Sequence, residues 1–443
     1  MPFAGKNAQL FTAIKKRDLD AAKAALGAGA KVNGSPGEPY APIVAATVAN
    51  HAGIVDVLLE QGADPDRPVT IKVSFPSSKV VSATPGERAL HMAARSGYVE
   101  IVRSLLKRSR GRADPNVTDN IGLTPLMATL ESSQTCVEVV RLLLEAGADL
   151  TSVNEDGFLP LHAVAVNDEM GVVDMLHSGA PTTLNRCDGR GRTPLFFACH
   201  GGYEGMVSKL LSLGAMQRTP LARNGMCPLS VAVGKGFVGV VRVLLNKGGI
   251  KAVGGEMALP PALCVAARFG EAKTLRLLLA VDGEEKRSKW ANIRLGERHL
   301  IHFAAGCCRP TVVSVLLRAG ADEAARDGEG RTPLDFVGMD LSGRDWIPPD
   351  RGEEVAIRRM LQRGPAYRAR SWAWPLDAKG AGVRGSGYGD TAATPASAAA
   401  AVLSSPPALK TPPIAGVRIC RPKEKSSNSK FFVRLIGRYC AKE

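Results

Sequence analysis

Residues 191–215 read GRTPLFFACHGGYEGMVSKLLSLGA, and this stretch decides the fold. It opens on Gly-x-Thr-Pro-Leu and closes on a leucine run ending in Gly-Ala. Thr193 can cap a helix through its hydroxyl, and Pro194 then takes the first helical position, where no N–H is needed. A short apolar helix, a glycine turn and a second helix with a fuller apolar stripe follow. Gly214 ends the second helix by accepting left-handed dihedrals.

The same phrase recurs along the chain. Its first half returns as GLTPLMA from Gly122 and GRTPLDFV from Gly330. The second half returns as LLEQGAD around Gly62, LLLEAGADL around Gly147 and VLLRAGAD around Gly320. Opening glycines at 86, 122, 157, 191, 225, 296 and 330 are spaced by 36, 35, 34, 34, 71 and 34 residues, the long interval hiding a weaker copy near Leu259. Closing glycines at 29, 62, 147, 179, 214, 248 and 320 keep the same beat. Two independent landmarks sharing one period make a stack of modules, each unable to bury its apolar side alone. Such a stack points to binding a macromolecule.

These motifs resemble the ankyrin repeat family from about Asn7 to Gly364. Ten units are expected, at about 7–36, 37–66, 86–119, 120–155, 156–189, 190–223, 224–255, 256–294, 295–328 and 329–364. The first lacks the Thr-Pro-Leu half, the eighth lacks Gly-Ala-Asp, and the last breaks after Phe336 and resumes as a capping helix at Glu353–Leu361. The resemblance implies an all-α solenoid of helix-turn-helix units with projecting β-turn fingers, whose concave face grips a protein. It places Asp66, Asp119, Asn120, Glu155, Asp156, Asp188, Arg190, Asn224, Asp327 and Glu329 on the fingers. Adjoining helix positions would be Arg95, Tyr98, His200, Tyr203, Lys235, Phe237, Arg268 and Phe269, aromatic and cationic types that anchor interfaces.

The expected organisation is a repeat stack over 1–364, with inserts at 67–85, 282–292 and 339–350. An aromatic and basic capping strip then fills 365–375, a low-complexity linker 376–430 and a short basic-apolar segment 431–443. The first insert reads as an enlarged finger or small hairpin. Trp290 and Trp346, in the other two, read either as partner contacts or as rings folded over a neighbouring repeat. Tyr367, Trp372 and Trp374, interleaved with Arg368 and Arg370, read as a cap, a docking strip or a nucleic-acid contact. The basic run 107–112 suits water at a helix end, an acidic partner or a nuclear import signal.

The 443 residues carry a net charge of +15, and aromatic residues make up only 5%. From Leu376 onward Lys and Arg outnumber Asp and Glu by eleven to four. That balance favours acidic partners without naming one, and nucleic acid is the weaker alternative. Nine cysteines without a CxxC pair read as reduced thiols of an intracellular protein. Neither a secretory leader nor a membrane span is expected.

No phosphate-loop signature, zinc spacing or catalytic triad emerges, so no cofactor, metal or catalytic residue is expected. His91, His162 and His302 recur at one position of the unit, which implies a structural job: bonding the turn between neighbours. The reading is a non-enzymatic scaffold or adaptor, monomeric, cytoplasmic with the nucleus left open. The alternative is a nuclear or nucleic-acid-associated regulator working through its basic tail.

Overall fold

The computed structural model describes residues 5–363, except 36–37, 39, 71, 75–81, 108–111, 133–134, 217–225, 253–258, 282 and 340–349. Trp346, Asn224, most of the 339–350 insert and all of 365–375, 376–430 and 431–443 lie outside the described residues.

Helices arrive in pairs. They are α1 (Lys6–Lys16) and α2 (Leu19–Gly27), α3 (Pro42–Val48) and α4 (Ala52–Glu60), α5 (Ala89–Arg95) and α6 (Val99–Leu106), and α7 (Pro125–Leu130) and α8 (Val137–Glu145). Next come α9 (Pro160–Asn167) and α10 (Met170–Gly179), α11 (Pro194–Gly201) and α12 (Glu204–Ser212), α13 (Pro228–Gly234) and α14 (Val238–Ala252), and α15 (Leu259–Phe269) and α16 (Ala272–Ala280). An added helix α17 (Glu284–Ala291) precedes α18 (Leu300–Gly306) and α19 (Pro310–Arg318). A 3-10 turn at Pro333–Phe336 and α20 (Arg351–Gln362) finish the series.

First helices pack on first helices from α1 through α18, and second helices form a second layer that ends with α19 against α20. The apolar stripes drive this. Ile54, Val55 and Leu58 of α4, Val139, Val140 and Leu143 of α8, and Val240, Val241 and Leu244 of α14 are all fully buried. Each such side chain contributes roughly 1.5–3 kcal/mol by leaving water, and only an adjacent unit can supply its cover.

Local chemistry sets the ends of the helices. The Thr124 and Thr193 hydroxyls accept from the N–H groups of Met127 and Phe196, both at 3.3 Å. Thr332 departs from this expectation: its hydroxyl donates to Asp335 at 2.8 Å, and the segment stays a 3-10 turn. Gly62, Gly147, Gly214 and Gly320 end their helices with φ between 83° and 96°. Gly248 does not, because α14 runs on to Ala252. At three of the four true stops the next residue is a buried alanine (Ala63, Ala215, Ala321), whereas Gly249 has no side chain to bury. Gly179 likewise remains inside α10.

Two inserts take definite form. Within 67–85, strand β1 (Val73–Ser74) pairs antiparallel with β2 (Ser82–Ala83), the small hairpin expected. The 282–292 insert is mostly α17, whose Trp290 is only 2% exposed. It is tied down where Asn292 Nδ2 donates to the Gly320 carbonyl at 2.7 Å. A second two-residue hairpin, β3 (Arg294–Leu295) with β4 (Arg298–His299), leads into α18. At the far end α20 buries Ile357, Met360 and Leu361 and leaves Arg358 and Arg359 exposed, as a terminal cap requires.

Candidate functional site

Four turns share one geometry. The Asp119 carboxylate accepts from the N–H groups of Ile121 (3.0 Å) and Leu123 (2.9 Å). Asp188 accepts from those of Arg190 (2.9 Å) and Arg192 (2.8 Å), and Asp327 from Glu329 (2.9 Å) and Arg331 (2.8 Å). Asn154 does the same with its amide oxygen, toward Asp156 (3.1 Å) and Phe158 (2.9 Å). These side chains are buried, so Asp119, Asp188 and Asp327, on the fingers, close them from within. Burial pushes the Asp119 carboxyl above the usual range, and its two backbone bonds pull against that.

Neighbouring turns are joined by backbone. Glu155 N–H donates to the Ile121 carbonyl (3.3 Å), Gly189 to Asp156 (2.7 Å) and Gly328 to Glu297 (3.0 Å). What remains outward is one or two side chains per turn: Asn120, Glu155, Arg190 and Glu329 are exposed, and Asp156 is half-buried.

Two further ladders tie unit to unit. His91, His162 and His302 accept at Nδ1 from the N–H of the residue just before their own helix (Arg88, Leu159 and His299) and reach the next unit's carbonyl through Nε2, at Leu123 (2.9 Å), Arg192 (3.0 Å) and Arg331 (3.2 Å). This is the structural job expected of them. Burial lowers His91 and His162 to about 4, the bond to the carbonyl opposing it, so both rings are neutral near pH 7. Sequence reading missed the second ladder. The side-chain oxygens of Asn7, Asn33, Asn116, Asn185 and Asn292 accept from the N–H groups of Lys31, Asp64, Asp149, Met216 and Asp322 at 2.7–2.9 Å. The recurring asparagine, 24 to 33 residues before each donor, was the available signal.

Among the residues proposed as anchors, several are committed to the protein itself. Tyr98 is 8% exposed, and Arg95 pairs with the buried Glu87 at 2.6 Å. The half-buried rings of Tyr203 and Phe237 lie over Gly201 and Gly202, where a Cβ would collide with them. Trp290 is buried, with Lys289 Nζ 5.4 Å from its ring. His200, Lys235 and Arg268 are half-buried, and Phe269 is 58% exposed.

Two arginines absent from the expected set are also engaged within the protein. Arg192 pairs with Asp188 at 2.7 Å and lies 4.6 Å over Phe197, while Arg331 pairs with Asp327 at 2.9 Å and lies 4.8 Å over Phe336. Among the described residues no group of three His, Cys, Asp or Glu could hold a metal, and no helix is long and apolar enough to cross a membrane. No disulfide joins the seven described cysteines, and burial pushes the Cys199 thiol well above its usual range.

A family profile described as ankyrin repeats (three copies) matches residues 10–119, 69–154, 90–185 and 161–253, together more than half of the chain. The chain belongs to the ankyrin repeat family. Ankyrin repeats are protein–protein interaction modules, and here the same stacking continues past residue 253 through α15–α20. Among curated proteins, the E3 ubiquitin-protein ligase KEG of Arabidopsis thaliana is 27% identical over 264 residues, 56% of this chain and 16% of that protein. The ankyrin repeat protein nuc-2 of Neurospora crassa is 28% identical over 220 residues, 49% of this chain and 20% of its own length. The BCL-6 corepressor-like protein 1 of Homo sapiens is 34% identical over 112 residues, 25% of this chain and 6% of that protein. The chain thus spans a fifth or less of each of these relatives.

Proposed function

We propose that this ankyrin repeat protein is a non-enzymatic scaffold or adaptor, with a partner polypeptide lying along the face shared by its turns and first helices. The observation that carries the reading is the division of labour in the turns. Buried Asp119, Asn154, Asp188 and Asp327 fix the backbone, so that Asn120, Asp156, Arg190 and Glu329 present side chains at regular intervals. Rigid, repeated presentation lowers the ordering cost of binding. Asn120, Asp156, Arg190, His200, Lys235, Arg268 and Phe269 are the contacts we propose, with Asn224 and Trp346 as further candidates outside the described residues. Arg95, Tyr98, Tyr203, Phe237 and Trp290 would act by holding that surface. The chain would act as a monomer in the cytoplasm, the nucleus remaining open. The chain is similar to parts of a protein named as a ligase and of one named as corepressor-like, in keeping with an adaptor role.

The competing reading, a nuclear or nucleic-acid-associated regulator, rests on the basic excess beyond Leu376. Affinity capture from native extract with the full chain and with a chain ending at Pro375, at low and moderate salt, separates the two. A salt-resistant protein partner shared by both supports the repeat surface. Partners seen only with the tail and lost as salt rises would overturn it.

A further inference from the structure

The second repeat closes on Ala63-Asp64-Pro65-Asp66 and the third on Ala113-Asp114-Pro115-Asn116, two stretches that differ only in their last residue. Both fold alike. The Asp64 carboxylate accepts from the Asp66 N–H at 2.9 Å, and the Asp114 carboxylate from the Asn116 N–H at 2.8 Å. Asp66 therefore holds the rung of the asparagine ladder between Asn33 and Asn116. Its Oδ2 accepts from the Asp114 N–H at 3.1 Å, as the oxygens of Asn33, Asn116 and Asn292 accept from Asp64, Asp149 and Asp322.

Two of the asparagine rungs have a second half. Asn116 Nδ2 donates to the Gly147 carbonyl at 3.0 Å, and Asn292 Nδ2 to that of Gly320 at 2.7 Å. Each glycine directly precedes an alanine, Ala148 or Ala321, whose N–H reaches back to its helix at 2.9 Å. Ala113 makes the same return, to the Leu105 carbonyl at 2.9 Å, so the carbonyl in the glycine's place belongs to Arg112. At Asp66 the atom in the place of Nδ2 is Oδ1. The residue keeps a partial opening to solvent, but Oδ1 is buried and meets no donor among the described residues. A carboxylate has nothing to offer a carbonyl, whereas a protonated carboxyl donates as the amide does.

The charges nearby are mixed. Arg88 Nε donates to the Asp66 carbonyl at 3.0 Å, while Arg67 and Arg112 turn their guanidinium groups to the Asn33 and Ala146 carbonyls. Burial raises the Asp66 carboxyl above its usual range; the Asp114 N–H lowers it, the charges of Asp64 and Asp114 raise it, and Arg88 lowers it.

We propose that Asp66 is a proton-operated clasp between the second and third repeats: protonated from water, it donates from Oδ1 to the Arg112 carbonyl while Oδ2 keeps the Asp114 N–H, and ionised it holds by Oδ2 alone. Acid tightens, and neutral pH loosens, the joint from which the 67–85 insert leaves the stack. The unfolded carboxyl titrates at about 3.9. Folded, it keeps its proton to higher pH, so the clasp's contribution is full below the unfolded value and is lost as pH rises through the folded one.

The test compares full-length wild type and Asp66→Asn by urea unfolding and by exchange of the Asp114 amide hydrogen. Asparagine donates at every pH, so the variant's folding equilibrium constant should exceed the wild type's about tenfold at about pH 8, as satisfying one buried group gives. That advantage should shrink as pH falls towards about 4. Protection of the Asp114 amide, corrected for intrinsic exchange, should fall with rising pH in the wild type and stay constant in Asp66→Asn. An advantage that does not change with pH, or a wild type at least as stable as the variant at about pH 8, would overturn the clasp. So would Asp114 protection with the same pH dependence in both proteins.

Discussion

The His162 ring accepts at Nδ1 from its own helix start and reaches the Arg192 carbonyl through Nε2, and both bonds need the neutral imidazole. Unfolded, a histidine titrates near 6.5; folded, His91 and His162 titrate at about 4. Between those values the unfolded chain binds more protons, so each ring's contribution is full above 6.5 and is lost as pH falls through the folded value. The total loss is about 3 kcal/mol per ring. Urea unfolding of wild type and His162→Gln should show the wild type's advantage shrinking by about 2 kcal/mol between about pH 7 and about pH 4.5. An unchanged gap would mean the ring is not buried and neutral. At Asp188 one carboxylate serves two turn N–H groups and Arg192. Asp188→Ala strands all three, and the expected cost is about 3 kcal/mol, read in the same unfolding experiment.

A turn and its neighbour meet at Gly157, where φ is 74° and a Cβ would stand 2.8 Å from the Gly189 nitrogen. Gly147 has φ 92° with nothing within 4 Å. Alanine at Gly147 therefore meets only the left-handed backbone penalty, about 1–2 kcal/mol, while alanine at Gly157 must also push the next finger away. The gap between the two melting temperatures measures finger-to-finger packing, and equal values would deny it. The helices, their caps at Thr124 and Thr193 and the histidine ladder were legible in the sequence because each rests on a local, repeated pattern. The finger residues were less so. Asp119, Asn120, Asp188 and Arg190 look alike as polar turn residues, and only the closed turn shows that the aspartates point inward while Asn120 and Arg190 stay out. Trp290 is similar: its charged surroundings in sequence leave a partner contact and a packed ring both open, and only the structure shows it buried on α17.

For the whole described unit, each repeat contacts only its neighbours, so stability is distributed along the stack. The cap α20 covers α19 with Ile357, which is fully buried. Ile357→Ala should cost about 3 kcal/mol at that end. Hydrogen exchange should show lost protection in Pro310–Arg318 well before Ala52–Glu60, whereas a uniform loss would mean the array unfolds as one. Regular stacking also gives the turn tips the fixed spacing that the proposed partner would read. The measurement that tests this reading most directly is recovery of a partner from native extract at moderate salt by the full chain and by the full chain carrying Asn120→Ala, Asp156→Ala and Arg190→Ala. The account predicts that the partner held by the wild type is lost about tenfold or more from a variant that melts normally. Equal recovery by the two would contradict it.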